Sequence, residues 1–134
     1  MRFVLDASIT ISWAMRDEDH PIADLAMSEL GRGGSALVPG IWWYEVRNLL
    51  VVGERRHRIS EPDSLQFLRE LAHLPVQVDH QIESASVMEL ARKFSLTVYD
   101  AAYLALALRE RAPLASLDKA LQSAASAAGV ATLA

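Results

Sequence analysis

Four acids stand where short apolar runs stop, and this spacing constrains the fold more than any other feature of the chain. Asp6 follows Phe3-Val4-Leu5, Glu45 comes soon after Ala36-Leu37-Val38-Pro39, Asp100 follows Leu96-Thr97-Val98-Tyr99, and Asp118 follows Leu114-Ala115-Ser116-Leu117. Such runs read as buried strands, and strands buried on both faces belong to parallel sheets. Parallel strands end on one edge, so acids at those ends or on the helices that follow converge there. Two carboxylates about 4 Å apart repel by roughly 4 kcal/mol at an effective dielectric of about 20, so a cluster persists only where protons or cations neutralise it.

Between the runs the pattern is helical. Ser8 is placed to cap a short helix after the first strand, and His20-Pro21 opens a second helix with Ile22, Leu25, Ala26 and Leu30 at helical spacing. A long helix from Gly40 to about Arg56 and another opened by Ser60-Glu61-Pro62-Asp63 are expected to form a helical hairpin. Residues 80 to 94, including Ile82, read as a helix, and Asp100 to about Arg111 as a central helix buried on most sides. Pro75 to Val78, Leu114 to Leu117 and Gly129 to Leu133 read as strands, and Leu96 to Val98 as a strand or only an extended link. Strands alternating with helices predict an α/β fold with a central parallel sheet covered on both faces. A length of 134 residues predicts one domain, 1–134.

Several function classes are excluded or disfavoured. The chain has no cysteine, so any metal is held by oxygen or imidazole. No apolar run is long enough to cross a bilayer, and an acid at position 6 interrupts any signal-peptide core, so a cytoplasmic location is expected. A net charge of −4 does not suit a purely electrostatic nucleic-acid binder. The one dense basic run, Arg55, Arg56, His57 and Arg58, reads first as a solvated helix end. His20, His57, His73 and His80 lack ligand spacing, Trp42 and Trp43 read as packing residues, and Asp17, Glu18 and Asp19 as a solvated acidic loop.

The acids carry the chemistry. Magnesium and manganese prefer oxygen ligands, and three or four carboxylates suit them. Asp6 with Ser8 forms an Asp-Ala-Ser turn in which the carboxylate could bind metal while the hydroxyl supports it. Glu45 lies in a helix with Asn48 on the same face, among apolar neighbours that leave the acid in need of a partner. Asp100 opens the most apolar helix, and Asp118 follows Ser116 by two residues. Taken singly, Asp6, Asp100 and Asp118 can also be read as helix caps, and Glu45 as an exposed acid or one salt-bridged near Arg47.

In order and spacing, Val4-Leu5-Asp6-Ala7-Ser8, Glu45 with Asn48 and Leu49, Val98-Tyr99-Asp100-Ala101-Ala102-Tyr103-Leu104-Ala105-Leu106-Ala107 and Ser116-Leu117-Asp118 resemble PIN-domain nucleases, with the nearest likeness to VapC toxins of toxin–antitoxin pairs. The resemblance spans essentially the whole chain. It implies a three-layer α/β/α domain and a magnesium- or manganese-dependent endoribonuclease site. Asp6, Glu45, Asp100 and Asp118 would be its acids, with Ser8, Asn48 and Ser116 as polar support; position 116, often threonine in the family, keeps its hydroxyl as serine. It further implies an RNA substrate, a homodimer and a cognate VapB-like antitoxin whose peptide fills a groove near the site. The helices after Gly40 and Ser60 are the expected walls of that groove.

Two other readings compete. A phosphotransfer domain would use Asp6 as a covalent nucleophile, but the second aspartate two residues on that such phosphatases use is replaced by Ser8. A non-catalytic interaction module would use the acids only as caps.

Overall fold

The structure is a computed structural model that describes residues 1–134 apart from Arg16, Glu18, Ile82, Glu83 and Ala134. Its elements run β1 (Arg2–Leu5), α1 (Ala7–Ser12), α2 (Pro21–Gly31), β2 (Ser35–Pro39), α3 (Ile41–Arg55), α4 (Glu61–Leu71), β3 (Val76–Asp79), α5 (Ser84–Phe94), α6 (Val98–Glu110), β4 (Leu114–Ala115) and α7 (Lys119–Ala127). The four strands form one sheet in the order β3-β2-β1-β4, and every pairing is parallel. This is the α/β architecture with a central parallel sheet that the alternating pattern predicts.

Burial explains which runs became strands. Phe3, Val4, Leu5, Ala36, Val38, Leu114 and Ala115 are all buried, and they occupy the interior strands and β4. β3 lies at the sheet edge and is only partly covered. Right-handed crossovers carry α1 to α4 to one face as the chain steps from β1 to β2 to β3. The step from β3 back to β4 carries α5 and α6 to the other, where α7 joins α6; the observed helix contacts, α1 with α2 and α3, and α6 with α5 and α7, follow this division.

One open alternative is decided and one expected strand differs. Leu96-Thr97 is an extended link, and Val98 and Tyr99 already belong to α6. The reason is local: the Thr97 hydroxyl accepts the Asp100 N–H at 3.1 Å, an N-cap that starts the helix two residues earlier than the apolar run suggests. The expected strand over Gly129 to Leu133 is a single bridge of Thr132 to Leu114, since the two-residue β4 offers so little edge. The helix expected over 80 to 94 is described from Ser84 on, and Ile82 and Glu18 lie outside the described residues. Trp42 is buried as expected, whereas Trp43 is 46% exposed and carries the Arg47 guanidinium 3.6 Å above its ring. Among the described residues no helix is long and apolar enough to cross a membrane.

The turn into β2 depends on one glycine. Gly34 N–H donates to the Glu29 carbonyl at 2.9 Å, and a Cβ at this position would lie 2.6 Å from that oxygen and 2.7 Å from the Met1 carbonyl oxygen. Both neighbours are backbone and cannot give way cheaply. Gly34→Ala is therefore expected to destabilise the protein by roughly 2 kcal/mol, the scale of an overpacked site, read as a lower midpoint in urea unfolding with an unchanged slope.

Candidate active site

The order in which the chain adds strands reverses between β1 and β4, which stay parallel. The helix after β1 leaves to one face and the helix after β4 to the other, so a crevice opens beyond the carboxyl ends of these two adjacent strands, where open α/β sheets place their ligands. Asp6 stands at the end of β1 in that crevice. Its backbone N–H donates to the Ala115 carbonyl of β4 at 3.0 Å, and the residue is 6% exposed.

Asp6 is held by two hydroxyls from opposite ends of the chain. Ser8 Oγ and Ser116 Oγ each donate to Asp6 Oδ2 at 2.7 Å. Each hydroxyl in turn accepts a backbone N–H, from Leu117 onto Ser8 and from Asp118 onto Ser116, both at 3.0 Å. A serine has one proton, so these N–H donors fix the direction of both bonds toward the carboxylate. Ser8 thus does not cap α1; Asp6 occupies the N-cap position, and the serine inside the first turn serves the acid instead.

The other acids arrive from three helices. Asp118 is the N-cap of α7, its Oδ1 accepting the Leu121 N–H at 3.1 Å, so the capping reading holds without removing it from the crevice. Asp100 sits in the first turn of α6. Glu45 lies on the flank of α3, where its Oε1 accepts the Tyr103 hydroxyl at 2.7 Å. Asn48 is exposed, and among the described residues no bond ties it to the acids. Trp42 Nε1 donates to Thr10 Oγ1 at 3.0 Å and so anchors α3 on α1 beside Asp6.

The electrostatics bring all four carboxylates together. Burial pushes the Asp6 carboxyl above its usual range; Ser8 and Ser116 pull it back, and the charge of Asp118 raises it further. Burial also raises Glu45, opposed by the Tyr103 hydroxyl and reinforced by Asp6 and Asp100. Asp100 is raised by burial, then by Asp118 and Asp6. Among the described residues no basic side chain pairs with any of the four.

This donor set, all oxygen and negatively charged, fits a hard divalent cation. The expectation of three or four direct carboxylate ligands is not what the geometry offers: among the described residues no three histidine, aspartate or glutamate side chains stand close enough to share one ion. Magnesium characteristically uses one or two carboxylates and keeps several waters, which is compatible with acids that sense each other's charge without closing a cage.

Tyr103 escaped the reading of the sequence. It lies three residues after Asp100 and hence on the same helix face, and it is the one hydroxyl between Ala101 and Leu108 in an otherwise apolar helix. That isolated polar atom was the available signal.

The family model of the PIN domain matches residues 3–127. Among solved structures the fold is similar to the crystal structure of PAE2754 from Pyrobaculum aerophilum, with 20% identity and a TM-score of 0.72, covering 92% of this chain and 84% of that one. It is also similar to VapC20 of Mycobacterium tuberculosis, a Sarcin-Ricin loop cleaving toxin, with 13% identity and a TM-score of 0.59, covering 91% of this chain and 94% of that one. No curated protein matches the sequence significantly. With its parallel sheet and with nearly its whole length matched, this chain belongs to the PIN domain family.

Proposed function

We propose that this chain, as one PIN domain over 1–134, is a metal-dependent endoribonuclease toxin of the VapC type. The observation that carries the reading is the buried Asp6 carboxylate, held by two hydroxyls and repelled by Asp118, Glu45 and Asp100 with no basic partner among the described residues. Caps alone do not need a carboxylate buried among like charges. The architectural likeness to VapC20 supports RNA as the substrate class.

In this reading one or two of the acids Asp6, Asp100, Asp118 and Glu45 would hold magnesium or manganese directly and the others through its waters, since among the described residues no three stand close enough to share one ion. When bound, the ion supplies neutralisation of the scissile phosphate and a lower pKa for the attacking water. The protein's own part is placement. Ser8 and Ser116 hold Asp6 Oδ2, and the Thr97 cap fixes the first turn of α6 from which Asp100 comes. Arg55 and Arg56, exposed at the end of α3, offer weak contacts to the phosphate backbone, while Arg58 is engaged by Asp17 at 3.2 Å.

The family likeness also supports a homodimer and a cognate antitoxin, both within the cytoplasm. The groove between α3 and α4, lined by Leu50, Val51, Leu65 and Leu68 with half-exposed Leu65, suits an apolar antitoxin segment. The helix α5, which has no buried residue in the single chain, suits a subunit contact.

The test is incubation of the purified, antitoxin-free protein with total cellular RNA and manganese or magnesium, beside an Asp100→Asn variant and a chelator control, followed by mapping of new RNA ends. Discrete ends that vanish in both controls establish the activity. Absence of cuts together with absence of metal binding by calorimetry overturns it in favour of an interaction module.

A further inference from the structure

Tyr103 is a phenol where packing asks only for a ring. The side chain is 0% exposed on α6, and phenylalanine would fill the same volume. Its hydroxyl nonetheless reaches across 58 residues of sequence to Glu45 Oε1 at 2.7 Å. The bond joins α6 on one face of the sheet to α3 on the other around the edge where the acids meet.

Glu45 needs such a restraint. A glutamate side chain turns about three bonds, and this one sits on the flank of α3 beside exposed Asn48, so solvent is within its reach. Asp6 and Asp100 both repel it from the crevice. Among the described residues Tyr103 is the sole side-chain donor to it. We propose that Tyr103 is the positioning residue for Glu45: by holding Oε1 it keeps the carboxylate at the crevice, where it would meet a bound cation directly or through one of the cation's waters. This rests on the metal-dependent reading given above, and it assigns the tyrosine no contact with the ion or the RNA.

The test is calorimetric titration of manganese into the metal-free wild type, Tyr103→Phe, Glu45→Ala and the double variant. Tyr103→Phe is expected to weaken manganese binding about tenfold, the low end of what removing the partner of a ligand costs. In the Glu45→Ala background the same substitution is expected to cost nothing further, because the hydroxyl acts only through that carboxylate. A metal-free melting temperature for Tyr103→Phe close to wild type accompanies this outcome. Equal binding by wild type and Tyr103→Phe overturns the positioning role and leaves the metal-dependent reading standing. A tenfold loss in both backgrounds places the hydroxyl's effect elsewhere and also overturns the role. A wild type that binds no manganese overturns both.

Discussion

Asp6→Asn is expected to abolish metal-dependent cleavage, by about 10²-fold or more on the scale of removing one preorganised electrostatic group, while making the metal-free protein more stable. Asparagine matches aspartate in shape, and its amide oxygen can still accept the Ser8 and Ser116 hydroxyls that converge on Oδ2 at 2.7 Å. What disappears is a charge that is buried and repelled by Asp118. Relief of that burden is expected to add roughly 1 kcal/mol, which for a chain of this length raises the melting temperature by about 3–5 °C. Activity and stability then move in opposite directions in one substitution. If Asp6 were only a cap, the same change would leave any activity alone and would lower stability slightly. Parallel RNA cleavage and thermal unfolding in a chelator distinguish the two.

The second large effect is on the pH dependence of the metal-free fold. Asp6, Glu45 and Asp100 all have folded-state pKa values above the ordinary carboxylate range. The folded protein therefore binds these protons more tightly than the unfolded chain does. The stability they contribute is complete below the ordinary values of 3.8 for aspartate and 4.5 for glutamate and is lost as pH rises through the raised values. Wild type and Asp6→Asn, unfolded in urea with chelator present, are expected to converge in stability near pH 4 and to separate as pH rises to 7. Manganese at about one hundred times its dissociation constant restores about 2.7 kcal/mol to wild type at neutral pH and much less to the variant. A gap between the two proteins that does not change with pH would show that Asp6 is not held in an energetically unfavourable ionised state.

The sheet was legible because β1 and β2 are apolar after their first residues and β4 is apolar throughout, a pattern that suits parallel strands covered on both faces. Asp6 and Ser116 were legible for the same reason: each follows a buried strand directly, so the strand's end fixes its place. Leu96-Thr97 was legible only as one of two alternatives, since an apolar run with a β-branched residue looks like strand until the Thr97 hydroxyl is seen accepting an N–H. Tyr103 was missed because its role depends on Glu45, 58 residues away, and no local pattern encodes that meeting. Asn48 was placed correctly on the face of Glu45, yet spacing along a helix does not say which of two neighbouring residues points inward, and Asn48 is the exposed one. Asp118 shows that the competing interpretations were not exclusive: it caps α7 with one oxygen and still adds its charge to the crevice.

The Ser116–Asp6 hydrogen bond closes a loop of 110 residues, and this has a consequence for the order of events during synthesis. At about 5–20 residues per second, Asp6 leaves the peptidyl-transferase centre roughly 5 to 20 seconds before Ser116 and Asp118 are joined to the chain. Throughout that interval β1 lacks its β4 neighbour, the Asp6 N–H lacks the Ala115 carbonyl, and the carboxylate has at most one of its two hydroxyls. The crevice does not exist on a growing chain. The crevice is complete only once residues 114 to 118 have been synthesised, and a fragment released before β4 carries Asp6, Glu45 and Asp100 without the strand and the Ser116 hydroxyl that fix Asp6 in place.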